Sequence, residues 1–127
     1  MAFDIIQTDQ APAAIGTYSQ AVRAGKTVYI SGAIPLVPAT GDIVEGDFEA
    51  QVREAFANLK AICVAAGGDL GKVARLGLYL TDLSNFGTCN AVMTELFSAP
   101  YPARSTIEVK GLPRGVAFEV DAVMVLD

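Results

Sequence analysis

The 127-residue sequence contains no histidine. That removes the side chain most used for acid–base work near neutral pH, and the commonest metal ligand. A histidine-based catalytic triad and a zinc centre with imidazole ligands are both excluded. Cysteine is nearly as scarce. Cys63 and Cys89 stand far apart, match no metal or redox spacing, and fall in apolar helical stripes. They are expected to be buried free thiols, because free cysteine packs as a small hydrophobe. Charge is sparse too: 18% of residues are Asp, Glu, Lys or Arg, against 52% apolar. The formal net charge is −5, and no dense run of Lys and Arg could track a phosphate backbone. This argues against nucleic-acid binding. No apolar run approaches the length of a membrane span. Met1-Ala2-Phe3-Asp4 lacks the basic and apolar regions of an export signal. With free thiols, that points to the cytoplasm.

What is present suits one domain spanning residues 1–127. The chain has more apolar surface than charged groups to cover it, so an oligomer is expected. Phe3 to Ile6 reads as an edge strand, and Ala11 to Tyr18 as a loop. Ser19 to Ala24 and Thr27 to Ser31 form a hairpin across Gly25-Lys26. Asp47 caps a helix running to Ala66, with Val52, Ala55, Phe56, Leu59, Ile62 and Cys63 in its apolar stripe. Ala74 to Thr81 reads as a strand with Ala74, Leu76, Leu78 and Leu80 facing the core. A second helix covers roughly Asn85 to Ser98, with Phe86, Cys89, Met93, Leu96 and Phe97 as its stripe. Arg104 to Lys110 and Val116 to Val125 are the last strands, read as a hairpin joined through Gly111 to Gly115. The expected fold is α+β: about six strands in a mixed sheet, with two helices on one face. The uncovered face carries Tyr29, Tyr79, Val123 and Val125, which is too apolar for a wet surface, so it should be buried between subunits.

Chemistry concentrates near Pro102-Ala103-Arg104-Ser105-Thr106 and Glu119. A guanidinium grips a carboxylate with two parallel hydrogen bonds. A nearby carboxylate can hold a water or move a proton. With the last two strands paired, the two groups suggest a site for a small acid hydrolysed at the adjoining carbon.

The sequence resembles the reactive-intermediate (imine) deaminases, the RidA or YjgF proteins, over nearly its whole length. The resemblance rests on the run from Ala11 to Ala21, including Gly16-Thr17-Tyr18-Ser19-Gln20, and on Ser31-Gly32-Ala33-Ile34-Pro35-Leu36. It continues in Asn58-Leu59-Lys60-Ala61-Ile62, Asp82-Leu83 through Asn90, the Arg104 segment, and Leu112-Pro113-Arg114-Gly115 leading to Glu119. It implies a chorismate-mutase-like homotrimer, a barrel of sheets with helices outside and active sites in clefts between subunits. The implied reaction is hydrolysis of 2-imino acids, such as 2-iminobutanoate and 2-iminopropanoate, to 2-keto acids and ammonia, without cofactor or metal. Arg104 then clamps the substrate carboxylate, and Glu119 positions the attacking water. Tyr18, Ser31, Gly32, Asn90 and Thr106 line the cleft. Thr106 stands where many members have cysteine, Thr17 where the family often has proline, and Ala33 where many have glutamine. Two rival readings remain: an endoribonuclease or translation inhibitor, and a non-catalytic module that binds a keto acid. In the simplest alternative, Arg104 is a surface cation paired with Glu108 or Glu119.

Overall fold

A computed structural model describes residues 3–127. Its strands are β1 (Asp4–Ile6), β2 (Ala21–Ala24), β3 (Thr27–Ala33), β4 (Val73–Leu80), β5 (Ala103–Glu108) and β6 (Phe118–Val125). The helices are α1 (Phe48–Ala65) and α2 (Phe86–Leu96). The sheet order is β1-β2-β3-β6-β4-β5. All neighbours are antiparallel except β4 and β5, which run parallel.

The β2–β3 hairpin forms as the sequence predicts, with Gly25 in the left-handed region at φ 63°. Asp47 caps α1 by accepting a hydrogen bond from the Ala50 N–H at 3.0 Å. The helix stops where Gly67 takes φ 98°, out of reach of most side chains. The predicted stripe of α1 is buried and packs on β3 and β6.

The expected β5–β6 hairpin does not form. Parallel neighbours need a crossover, and here α2 supplies it between β4 and β5. That places β5 at the outer edge, while β6 fills the gap between β3 and β4. Alternation in a sequence says which way a side chain faces, not which strand lies beside it. Two smaller differences follow from backbone geometry. The ladder shifts between Val73 and Arg75, so Val73 is buried and Ala74 is exposed, the reverse of strict alternation. In α2 the buried residues include Val92, while Leu96 at the last turn is exposed. Phe97, beyond the helix in extended conformation, turns back into the core.

Both helices lie on one face of the sheet. Phe118 is central there, edge-on to Phe48 at 6.0 Å and tilted against Phe56 at 5.8 Å. Leu59, Leu76, Leu78 and Leu80 surround it without exposure. Among the described residues, nothing covers the opposite face. Ile5, Val22, Tyr29 and Val123 are in register across four strands and form an apolar row on it, continued on β4 by Arg75. Tyr29 is 52% exposed. Among the described residues, no helix is long and apolar enough to cross a membrane.

Candidate active site

The predicted site residues fall into two groups on opposite faces of the sheet. The first gathers around Glu119. This residue alternates on β6 with the buried Phe118 and Val120, so its side chain leaves the strand away from the helices. It lies against Gly32, where β3 bulges between Ile30 and Ala33. A Cβ on Gly32 would collide with the Glu119 carboxylate, reaching its Cδ at 2.8 Å. The bare backbone of Gly32 therefore makes room for Glu119. Burial, and next the charge of Asp121, raise the Glu119 carboxyl above its ordinary pKa. Asp121 itself accepts a hydrogen bond from the Tyr79 hydroxyl at 2.9 Å.

Glu119, Gly32, Ser31 and Tyr18 line one cavity of about 640 Å³. Ser31 is fixed twice. Its N–H donates to the Gln20 carbonyl at 3.0 Å, and its hydroxyl donates to the Ser19 carbonyl at 2.6 Å. The hydroxyl oxygen can still accept a bond from a ligand. Ile15, Ile34 and Leu36 give the same cavity apolar walls. Arg114 also borders it. Its φ of 63° is unusual for a non-glycine residue, and its guanidinium donates to the Gly41 carbonyl at 3.3 Å.

The second group gathers around Arg104 on β5. Arg104 is in register with the buried Leu76, so it points to the helix side. Its Nη1 donates to Asn90 Oδ1 of α2 at 2.7 Å and lies 3.4 Å from Met93 Sδ. The guanidinium sits 5.1 Å from the centre of the Phe86 ring, a cation–π contact. Arg104 thus forms no ion pair with Glu108 or Glu119 among the described residues. Glu108 instead accepts from the Leu83 N–H at 2.9 Å. Thr106, two residues on and facing the same way, has a buried hydroxyl with no partner. A buried hydroxyl without a bond is costly and stands ready to meet an incoming group.

The expected neighbourhood of Arg104 and Glu119 is therefore corrected. Strand β4 separates them, and their side chains point to opposite sides. One copy therefore holds two separate clusters of candidate residues: Tyr18, Ser31, Gly32 and Glu119 in one, and Asn90, Arg104 and Thr106 in the other.

Sequence reasoning missed the roles of Gln20 and Asn58, both of which line the Glu119 cavity. Asn58 left a signal. It falls among Ala55, Leu59 and Ile62 on the apolar stripe of α1, where a carboxamide needs buried partners. Gln20 left a weaker one, a polar residue next to the start of an inward-facing strand.

Comparison with known proteins agrees with this fold. The family model described as "Endoribonuclease L-PSP" matches residues 8–126. The crystal structure of RidA from the Antarctic bacterium Psychrobacter sp. superposes with a TM-score of 0.93 at 48% identity, covering 97% of this chain and 99% of that one. The E. coli TdcF structure with bound serine superposes with a TM-score of 0.90 at 40% identity, covering 98% and 99%. The mouse (Mus musculus) 2-iminobutanoate/2-iminopropanoate deaminase is 41% identical over 121 residues, 95% of this chain and 90% of its own length. The fold, the motifs and these relatives together place the chain in the RutC/RidA family of reactive-intermediate deaminases.

Proposed function

We propose that this protein hydrolyses reactive 2-imino acids, of the size of 2-iminobutanoate and 2-iminopropanoate, to 2-keto acids and ammonia. It works as a homotrimer of single-domain subunits, with the uncovered sheet faces turned inward. Each active site joins the Glu119 half-site of one subunit to the Arg104 half-site of the next. The observation that carries this reading is the placement of Arg104 and Glu119 on opposite faces of one sheet. A carboxylate clamp and a water-positioning group so divided can act on one small molecule only between copies. The apolar row from Ile5 to Val123 supports the same assembly, as does the activity named for the mouse relative.

The reaction needs little beyond positioning. A protonated imine carbon is already electrophilic, so neither a metal nor a strong nucleophile is required. Arg104 binds the substrate carboxylate with its forked donors, Asn90 having set the guanidinium plane. Glu119 accepts a proton from water as the water oxygen bonds to the imine carbon. It returns that proton to the nitrogen, then takes the hydroxyl proton as the C–N bond breaks, so that the carbonyl forms and the departing ammonia leaves with that proton as ammonium. A carboxyl raised above its ordinary pKa suits this shuttle near neutral pH. Ser31 and the Thr106 hydroxyl border the bound acid. RNA cleavage fits poorly, because the chain has no histidine and a net charge of −5.

The test generates 2-iminobutanoate in situ and follows its decay with the wild type, Arg104→Ala and Glu119→Gln. Both variants should lose the acceleration. When the two are unfolded together and refolded as a mixture, random assembly should restore activity to about a quarter of the sites, because a shared interface can combine intact halves from different copies. Loss of both activities with no recovery on mixing refutes the shared site. No acceleration by the wild type refutes the deaminase reading.

A further inference from the structure

Among the described residues, the polar ones buried as whole residues are Gln20 at 4% exposure and Asn58 at 1%. Both are carboxamides, and both border the Glu119 cavity. Gln20 Oε1 accepts from the Thr8 N–H at 2.8 Å. Its Nε2 donates to the Thr8 carbonyl at 3.0 Å and the Pro12 carbonyl at 2.8 Å, with the Ala11 carbonyl further off at 3.4 Å. Among the described residues, no main-chain-to-main-chain hydrogen bond ties the segment from residue 7 to residue 18, between the end of β1 and Gln20, to the body of the protein. The Gln20 side chain does that instead. The segment carries Ile15 and Tyr18, one wall of the cavity. Asn58 treats the facing wall alike: its Nδ2 donates to the Ile34 carbonyl at 3.0 Å and the Leu36 carbonyl at 2.9 Å.

We infer that Gln20, assisted by Asn58, is a positioning residue that holds the two walls of the substrate cavity at binding distance before the substrate arrives. The inference rests on the deaminase reading of this site and adds residues that touch neither the reacting atoms nor the carboxylate clamp. Glu119 and Arg104 are set on strands, so a loosened wall leaves the chemical groups where they are. What it removes is binding shared equally by substrate and transition state, and that appears in KM rather than kcat. A fully bonded buried carboxamide suits the task because leaving any of its partners unpaired is costly.

The experiment compares wild type with Gln20→Leu, Gln20→Glu and Asn58→Leu. The glutamate keeps the acceptor for Thr8 and loses the donors to the carbonyls. Gln20→Leu should raise KM for 2-iminobutanoate about tenfold with kcat per folded molecule nearly unchanged, the signature of lost uniform binding. Gln20→Glu, which sets a buried carboxylate oxygen against the Thr8 and Pro12 carbonyls, should raise KM at least as much. Unchanged KM, with activity simply following the folded fraction, overturns the inference. If Gln20→Leu does not fold, hydrogen exchange on the wild type decides: Thr8 N–H should exchange as slowly as strand amides without ligand. Fast exchange there refutes preorganisation. If the wild type turns over no imine, the deaminase reading fails separately. The exchange result, and the affinity of 2-oxobutanoate for wild type and variants, still judge the role of Gln20.

Discussion

Replacing Gly32 with alanine tests the site at the resolution of a single methyl group. The backbone there is not left-handed, so alanine meets no conformational barrier of its own. The difficulty is space. The new Cβ would overlap the Glu119 carboxylate and come within 2.8 Å of its Cδ and 3.3 Å of its Cγ. Ordinary carbon contacts need about 3.5 Å or more, so the carboxylate must move by roughly an ångström. A displacement of that size at a reacting group can cost about a hundredfold in rate. The effect on stability is smaller, about 1 kcal/mol, because the group that must yield is the end of a partly buried side chain bordering a cavity rather than the core. The assay is kcat/KM on 2-iminobutanoate, with thermal unfolding alongside. A Gly32→Ala enzyme within about threefold of wild type refutes the reasoning.

Glu119→Gln should stabilise the protein at neutral pH while abolishing turnover. Its folded-state pKa is raised, chiefly by burial, so ionisation penalises the folded state above that pKa. The gain should therefore shrink as pH falls through the raised value and vanish below the ordinary carboxylate range. Urea titrations from pH 4 to 8 read this out, and a gain that grows toward acid contradicts it. Burial pushes Cys63 up to about 12 and Cys89 to about 11. Both thiols should resist iodoacetamide at pH 8 in the native protein and react on unfolding, as mass spectrometry would show; rapid native alkylation is the opposing result.

Helix α1 and the β2–β3 hairpin were legible because their signals are local: a capping aspartate, steps of three and four, a two-residue turn. The inward faces of β4 and β6 followed from alternation in the same way. Strand order was not legible. Nothing in Arg104 to Val125 states that β4 will lie between two segments consecutive in sequence, because pairing is decided by how α2 returns the chain. The apparent Arg104–Glu119 pair inherited that error. The candidate residues were singled out by their chemistry and motifs, whereas their division between two faces of the sheet required the fold. The bulge at Val73 and the anchoring by Gln20 were hidden for a related reason: each depends on partners distant in sequence.

The apolar row from Ile5 through Val22 and Tyr29 to Val123 also bears on how the protein fares during synthesis. A newly released chain in the proposed assembly presents this face to water until it meets its partners. Dilute or orphaned copies are thus the natural clients of chaperones and proteases. In such an assembly, supply of the active species would rise more steeply than supply of the polypeptide, and lesions far from either cluster of candidate residues would reduce the amount of protein before they touched its chemistry.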